Sequence, residues 1–230
     1  MRKAMILACA VLFLTLAFSG CPSPTGNGGT SPFVNPPPPI PGSPTLQINQ
    51  PVYLLVIDND FIPVWGDRLT KETHTLNHNG GSGTISDGYL NFTIGTPTDL
   101  ESIDRLFHGA AFQPEGVQAA ALRLTSERGE PLNLCYASGA LHGNDWSMEY
   151  VERVHIYVSG DVLVTSPIIT ESEAETYQPY NLYLKAGWNA VHRRMVISET
   201  PDTNDLTVTI STADPGFHLR WALEFFEFFR

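Results

Sequence analysis

Leu206-Thr207-Val208-Thr209-Ile210-Ser211 decides the fold class of this 230-residue chain. Apolar and hydroxyl side chains alternate through all six positions, which is the two-residue period of a β-strand with one buried face. Branched residues are also the types that strands favour. The stretch therefore predicts a strand whose Leu206, Val208 and Ile210 face a core.

Other stretches repeat this period between short turns. Val154, Ile156 and Val158 form an apolar face, Ser159-Gly160-Asp161 follows as a turn, and residues 162–165 return as a strand. Asp87-Gly88 is typical of a two-residue hairpin turn. Short strands, Gly/Asp/Asn turns and little helix predict an all-β chain, an antiparallel β-sandwich of jelly-roll or Ig-like type.

Two segments depart from this period. Thr98-Asp99-Leu100-Glu101 has the pattern of a capping box and predicts one helical turn. Four phenylalanines fall among the last six residues, and we interpret them first as an extension of the last strand. Two alternatives are a helical apolar stripe and an exposed docking strip.

The N-terminus predicts export. Arg2 and Lys3 precede an apolar run from Met5 to Phe18, which Thr15 alone interrupts. The run is shorter than the roughly 20 residues of a membrane-spanning helix. A charged start, a short apolar centre and small residues at the end are typical of a secretory signal, here residues 1–20.

Ser19-Gly20-Cys21 resembles the lipobox of bacterial lipoproteins, as spirochaetes carry it, with Phe18 where Leu is usual. In that family the signal is cleaved before the cysteine, which is then acylated. The resemblance implies a palmitate-type lipid anchor at Cys21 and membrane lipid as a partner. Pro22, in place of an Asp, implies the outer membrane. The alternative is a secreted protein with an unmodified Cys21.

A proline-rich segment separates this anchor from the rest of the chain. Residues 22–50 contain nine prolines, of which Pro36 to Pro39 are consecutive. Such a composition cannot bury enough apolar area to fold. We therefore predict a disordered linker at 21–50 and a single β-sandwich domain at 51–230.

Charge and cysteine content exclude several classes. Removal of residues 1–20, which hold Arg2 and Lys3 and no acid, leaves 11 basic against 24 acidic residues, a net charge of −13. A polyanion is not attracted to such a chain, so we expect no nucleic acid partner. Cys9 leaves with the signal and Cys21 carries lipid, so no intramolecular disulfide is expected. Cys135 is predicted to be a buried, inert strand residue.

A second resemblance lies in the domain. Residues 155–165, HIYVSGDVLVT, and 182–189, LYLKAGWN, resemble a stretch of uncharacterised lipoprotein domains from spirochaetes and related bacteria. It implies two hairpins, with Gly187 in a tight turn and Trp188 packed beside it. It carries no catalytic residue.

Catalytic and metal motifs are absent from the sequence. His74 and His78 would be about 13 Å apart on a strand, too far for one ion, and are predicted to be exposed polar residues. Asp58-Asn59-Asp60 lacks the glycine and glutamate of an EF-hand. No Gly-x-Ser-x-Gly, phosphate-loop or paired-cysteine motif occurs. We expect no metal, no cofactor and no catalytic residue.

Three aromatic residues are the candidate ligand contacts. Tyr177 and Tyr180 lie in a polar stretch between strands, and Trp146 follows Asn144-Asp145. Rings there suit contact with an envelope protein or a glycan, although packing at the sandwich edge is the alternative. The predicted function is non-enzymatic binding or structural work by a lipid-anchored envelope protein. The alternative is a carbohydrate-binding module or a glycan-active hydrolase.

Overall fold

The computed structural model describes residues 40–57, 62–70, 73–107, 109–127, 129–142, 145–167, 169–172, 175–200 and 203–226. The predicted signal, Cys21, the Asp58-Asn59-Asp60 triplet and residues 227–230 lie outside the described residues. The described part is nearly all β-structure in a sandwich-like arrangement, which confirms the predicted fold class.

Eighteen strands and one 3-10 turn, Ile103–Arg105, make up the described part. The strands are β1 Leu46–Ile57, β2 Pro63–Arg68, β3 His74–His78, β4 Gly81–Ser86, β5 Tyr89–Ile94, β6 Glu101–Ser102, β7 Ala111–Gln113, β8 Gln118–Ala121, β9 Leu124–Thr125, β10 Pro131–His142, β11 Asp145–Val158, β12 Val162–Ser166, β13 Ile169–Ser172, β14 Glu175–Tyr177, β15 Tyr180–Leu184, β16 Gly187–Glu199, β17 Asn204–Ser211 and β18 Arg220–Phe226.

The strands form three layers. The main sheet has the order β13-β14-β17-β16-β11-β10-β18-β1, with β2 beside β1. A cover sheet continues from β1 through β5, β4 and β3, and a small sheet has the order β15-β12-β7. The β1–β18 and β14–β17 pairs are parallel, whereas the other pairs of strands are antiparallel. The sandwich is therefore mainly, not purely, antiparallel.

β1 joins two of these layers. Residues 46–51 pair with β5, whereas residues 52–57 pair with β18. The change falls at Pro51, which has no N–H to give to a ladder. Val52 then donates its N–H to the Gly88 carbonyl and accepts a hydrogen bond from the Leu69 N–H. One strand thereby forms a corner of the sandwich.

The predicted end of the linker at residue 50 is wrong, because the structure begins β1 at Leu46. Leu46 and Ile48 are only 3% and 7% exposed and alternate with exposed neighbours, Gln47 and Asn49. A period of two and a buried face are enough to make this polar-looking segment a strand.

The core has three parts. The first lies between the cover sheet and the main sheet and includes the buried Trp188 and Trp221. The second lies between the small sheet and β11, β16 and β8. The third includes Cys135 and Tyr150, on the opposite face from their neighbours in the first part. Cys135 is fully buried, as predicted.

The stretch with the second resemblance forms arches rather than hairpins. β11 and β16 pair with each other in the main sheet, while β12 and β15 pair in the small sheet. Each turn, at 159–161 and at 185–186, therefore carries the chain from one layer to the next. The predicted hairpins are wrong because alternation marks a buried face but does not choose the partner strand. Here Val162 and Leu184 face the main sheet across the second core.

Local predictions had mixed outcomes. Asp87 and Gly88 form the β4–β5 hairpin turn with φ of 50° and 73°, as predicted. The capping box at residue 98 is wrong, because the Thr98 hydroxyl donates to Asn79 Oδ1 and the 3-10 turn begins later. His74 is buried on β3 rather than exposed. β18 extends through Phe226, which agrees with a longer last strand.

Candidate functional site

The three predicted contact residues do not share a surface. Tyr180 is 8% exposed and packs in the second core, with its ring centroid 6.3 Å from that of Phe107. Burial raises its pKa, against a smaller opposite effect of the Ser166 hydrogen bond. Tyr177 is half-buried against the third core.

Trp146 lies elsewhere, near the start of β11. It is half-buried and stands opposite Glu199. Tyr177 shares a row of the main sheet with Val208, Met195 and Tyr150, so it is three strands and four residues away from Trp146. That is roughly 20 Å. The structure therefore does not bring Tyr177, Tyr180 and Trp146 together in one aromatic platform.

A different group of side chains does share a surface, because Arg68, which stacks on Tyr89, is the cross-strand partner of Tyr53, which contacts Trp65 and Arg220. We call it the aromatic–arginine surface. Tyr53 and Trp65 meet edge to face, with ring centroids 6.2 Å apart. The Arg220 guanidinium carbon lies 5.2 Å from both ring centroids.

Strand register explains this grouping. Tyr53 and Leu55 alternate along β1 on one face, and Trp65 of β2 is paired with Leu55. Ala222 of β18 is paired with Tyr53 on the other side, which brings Arg220 to the same face two residues earlier. The three side chains are thus placed by adjacent strands of one sheet.

The second half of the surface is held by the hairpin turn at 87–88. The Arg68 guanidinium carbon lies 3.8 Å from the Tyr89 ring centroid. Arg68 also donates to two backbone carbonyls, from Nε to Gly88 at 3.1 Å and from Nη2 to Asp87 at 2.9 Å. Tyr89 is 41% exposed. Its ring is therefore fixed and still open to solvent.

This arrangement is suited to recognition. Trp, Tyr and Arg are the residues most enriched where binding energy concentrates in interfaces. An arginine stacked on a ring keeps N–H donors available at its edge. No group of three or more His, Cys, Asp or Glu side chains that could hold a metal ion occurs among the described residues. The surface offers aromatic faces and N–H donors to a partner.

A second polar cluster lies inside the molecule. Arg153 Nε donates to His192 Nε2 at 2.9 Å, and the His155 ring stacks on Trp221 at 6.1 Å with 12° between the planes. All four side chains are buried. The cleft beside His155 and Trp221 has room for about one water molecule. We interpret this cluster as part of the core.

Burial sets the protonation of these histidines. Burial, and after it the charge of Arg153 and the nearby His192, together lower the pKa of His155 to about 3. Burial and the charge of Arg153 lower the pKa of His192 to about 4, against a partial opposing effect of Asp214 and of a backbone hydrogen bond with Ala213. Both rings are therefore neutral near pH 7, and His192 Nε2 is able to accept from Arg153.

Sequence reasoning missed the aromatic–arginine surface because its members come from four separate segments. Tyr53 lies inside a continuous apolar run, where a ring looks like core. The weak available signal was the pair of stacking arginines, since Arg68 and Arg220 each lie in or beside a strand that also carries aromatic residues.

Comparisons with protein-family models, with curated proteins and with solved structures found no match. In the part of the chain that the structure describes, no helix has the length and apolar character needed to cross a membrane.

Proposed function

We propose that this chain is a lipoprotein of a bacterial envelope, anchored at the outer membrane through acylated Cys21, whose domain acts by binding and not by catalysis. The aromatic–arginine surface supports the binding role. The charged start, apolar run and small residues before Cys21 support the anchor.

The geometry favours a pre-organised contact surface. Tyr53, Trp65 and Arg220 are positioned by three paired strands, and Arg68 is held by two backbone carbonyls. Side chains fixed in this way lose little rotamer freedom when a partner binds, so more of the contact energy appears as affinity.

A glycan is the ligand class that suits the rings best after a protein. The exposed Tyr89 ring and the arginine donors beside it match the stacking and hydrogen-bonding needs of a sugar. A carbohydrate-binding module is therefore the second candidate, and it uses the same surface.

The test measures binding to a glycan array and to envelope proteins with the mature chain and two variants, Trp65→Ala and Arg220→Ala. Loss of a central interface residue should weaken binding about 30-fold or more. Arg105→Ala is the matched control, because Arg105 is an exposed arginine that pairs with Glu101 and lies in none of the segments that form the aromatic–arginine surface. Its binding should equal that of the wild type.

Equal binding by all four proteins would remove the surface from the account. Any glycan or envelope protein that still bound would then have to contact another part of the domain.

A further inference from the structure

The outer face of the small sheet is open to solvent. Alternation along β12 and β15 turns Val162, Val164, Leu182 and Leu184 inward, where they are buried. The opposite face exposes Tyr183 by 56% and Leu163 by 38%, and the two are direct cross-strand partners. The outward residues of the three strands are Ala111, Gln113, Leu163, Thr165, Asn181 and Tyr183.

One end of this face is fixed by a charged network. Lys185 Nζ donates to Asp161 Oδ2 at 3.0 Å and to the Tyr183 hydroxyl at 2.9 Å. Tyr183 donates to Asp161 Oδ2 at 3.0 Å, and the Ala186 N–H donates to Asp161 Oδ1 at 2.9 Å. The Ala186 N–H, then Lys185 and Tyr183, lower the pKa of Asp161 to about 2. The Tyr183 ring is thus held in place although it is exposed.

The proline-rich segment reaches the domain at this same end. The Gly42 N–H donates to the Trp188 carbonyl, and the Trp188 N–H donates to the Ser43 carbonyl. A Cβ on Gly42 would lie 3.0 Å from Lys185 Cβ. Ile40, the first described residue, is 81% exposed. Gly42 therefore lies beside Lys185, whose ammonium group contacts the Tyr183 hydroxyl.

We propose that the outer face of the small sheet binds residues 33–39 of the same chain, FVNPPPP in sequence, as a polyproline II helix. Seven residues in that conformation span about 22 Å, enough to cross three strands that are each about 4.8 Å apart. Pro rings pack on aromatic and aliphatic side chains in this mode, here Tyr183 and Leu163.

The polar groups of the face fit the same occupant. Polyproline II has no internal hydrogen bonds, so its carbonyls accept from donors on the surface that it contacts. Gln113, Asn181 and Lys185 supply amide and ammonium donors around the two apolar side chains. Because residues 33–39 belong to the same chain as the face, their effective concentration there is about millimolar, which favours them over a diffusing ligand.

The contact would set the length of the tether. Residues 22–39 extend to about 56 Å as polyproline II, whereas residues 22–32 alone extend to about 34 Å. Binding of the tract would hold the domain closer to the membrane and in a preferred orientation. The consequence for the membrane rests on the proposed anchor at Cys21, whereas the contact itself depends neither on that anchor nor on the aromatic–arginine surface.

Hydroxyl-radical footprinting of the full mature chain tests the proposal. In a variant with Pro36, Pro37, Pro38 and Pro39 changed to Ser, oxidation of Tyr183 and Leu163 should be at least about twofold faster than in the wild type. Tyr89, an exposed tyrosine on the cover sheet, should be oxidised at the same rate in both. The control variant Pro22→Ser with Pro24→Ser should behave as the wild type.

Equal oxidation of Tyr183 in the wild type and the four-serine variant would overturn the proposal. Protection that disappears on dilution would also overturn it, because it would assign the tract to a second copy. Protection that is independent of concentration, and that a synthetic peptide of residues 32–41 restores to the four-serine variant, would support it.

Discussion

Gly187 occupies a position that no other residue type can fill without rearrangement. Its φ is +110°, and a Cβ there would lie 2.6 Å from the Gly42 carbonyl oxygen and 2.7 Å from that of Ser43. The close approach is what allows residues 42–43 to bridge Trp188 at the start of β16. The lack of a side chain at Gly187 thus allows the turn before β16 to pack directly on residues 42–43.

Gly187→Ala should therefore destabilise the domain more than a Gly→Ala change at a position where only the positive φ opposes the new side chain. Gly116 is the matched control, since its φ is +78° and a Cβ added there would have no atom within 4 Å beyond its chain neighbours. Gly116→Ala should cost about 1 kcal/mol, and Gly187→Ala about 2 kcal/mol more through the clash. Urea denaturation measures both, and equal losses would contradict the close approach.

At the scale of elements, β11 and β16 carry an unusual load of buried polar side chains. Arg153 and His192 are cross-strand partners, and His155 lies two residues along β11. The two histidines must stay neutral in the folded state, because burial and the Arg153 charge disfavour their protonation. In the unfolded chain they bind protons near the ordinary pKa of 6.5.

This difference makes stability fall with acid in a defined window. The folded pKa values of about 3 and about 4 lie below 6.5, so the unfolded state binds more protons between these limits. Stability is therefore full above about pH 6.5 and decreases as the pH falls toward about 4. His155→Phe keeps a ring on Trp221 and removes one titrating group, so its pH-dependent loss should be smaller by on the order of 2 kcal/mol.

Thermal or urea unfolding at several pH values from about 4 to about 7 checks this. A His155→Phe slope as steep as that of the wild type would show that the buried ring does not contribute.

The limits of sequence reasoning are clearest in these same elements. The alternation of Leu206, Val208 and Ile210 and the Asp87-Gly88 turn depend on neighbouring residues, and both were predicted correctly. The choice between a hairpin and an arch at Ser159-Gly160-Asp161 depends on strands that are distant along the chain. Alternation contains no information about that choice. The aromatic–arginine surface around Tyr53 and Trp65 likewise depends on which distant strands pair.

At the scale of the whole molecule, β1 connects the proline-rich segment to the proposed binding surface. Residues 42–43 contact Trp188 just before β1 begins at Leu46, and Tyr53 lies seven residues further along the strand, at most about 23 Å from Leu46. The β1 residue of the aromatic–arginine surface thus lies beyond the corner at Pro51, in the half of β1 that pairs with β18.

The central claim is that acylated Cys21 holds this β-domain at the membrane. The most direct measurement combines growth with labelled palmitate, intact-mass analysis of the mature N-terminus, and membrane fractionation of the wild type and a Cys21→Ala variant. The account predicts label and added acyl mass on the wild type, and loss of both, with release from the membrane fraction, for Cys21→Ala. An unlabelled wild type, or a Cys21→Ala protein that stays equally membrane-bound, would contradict it.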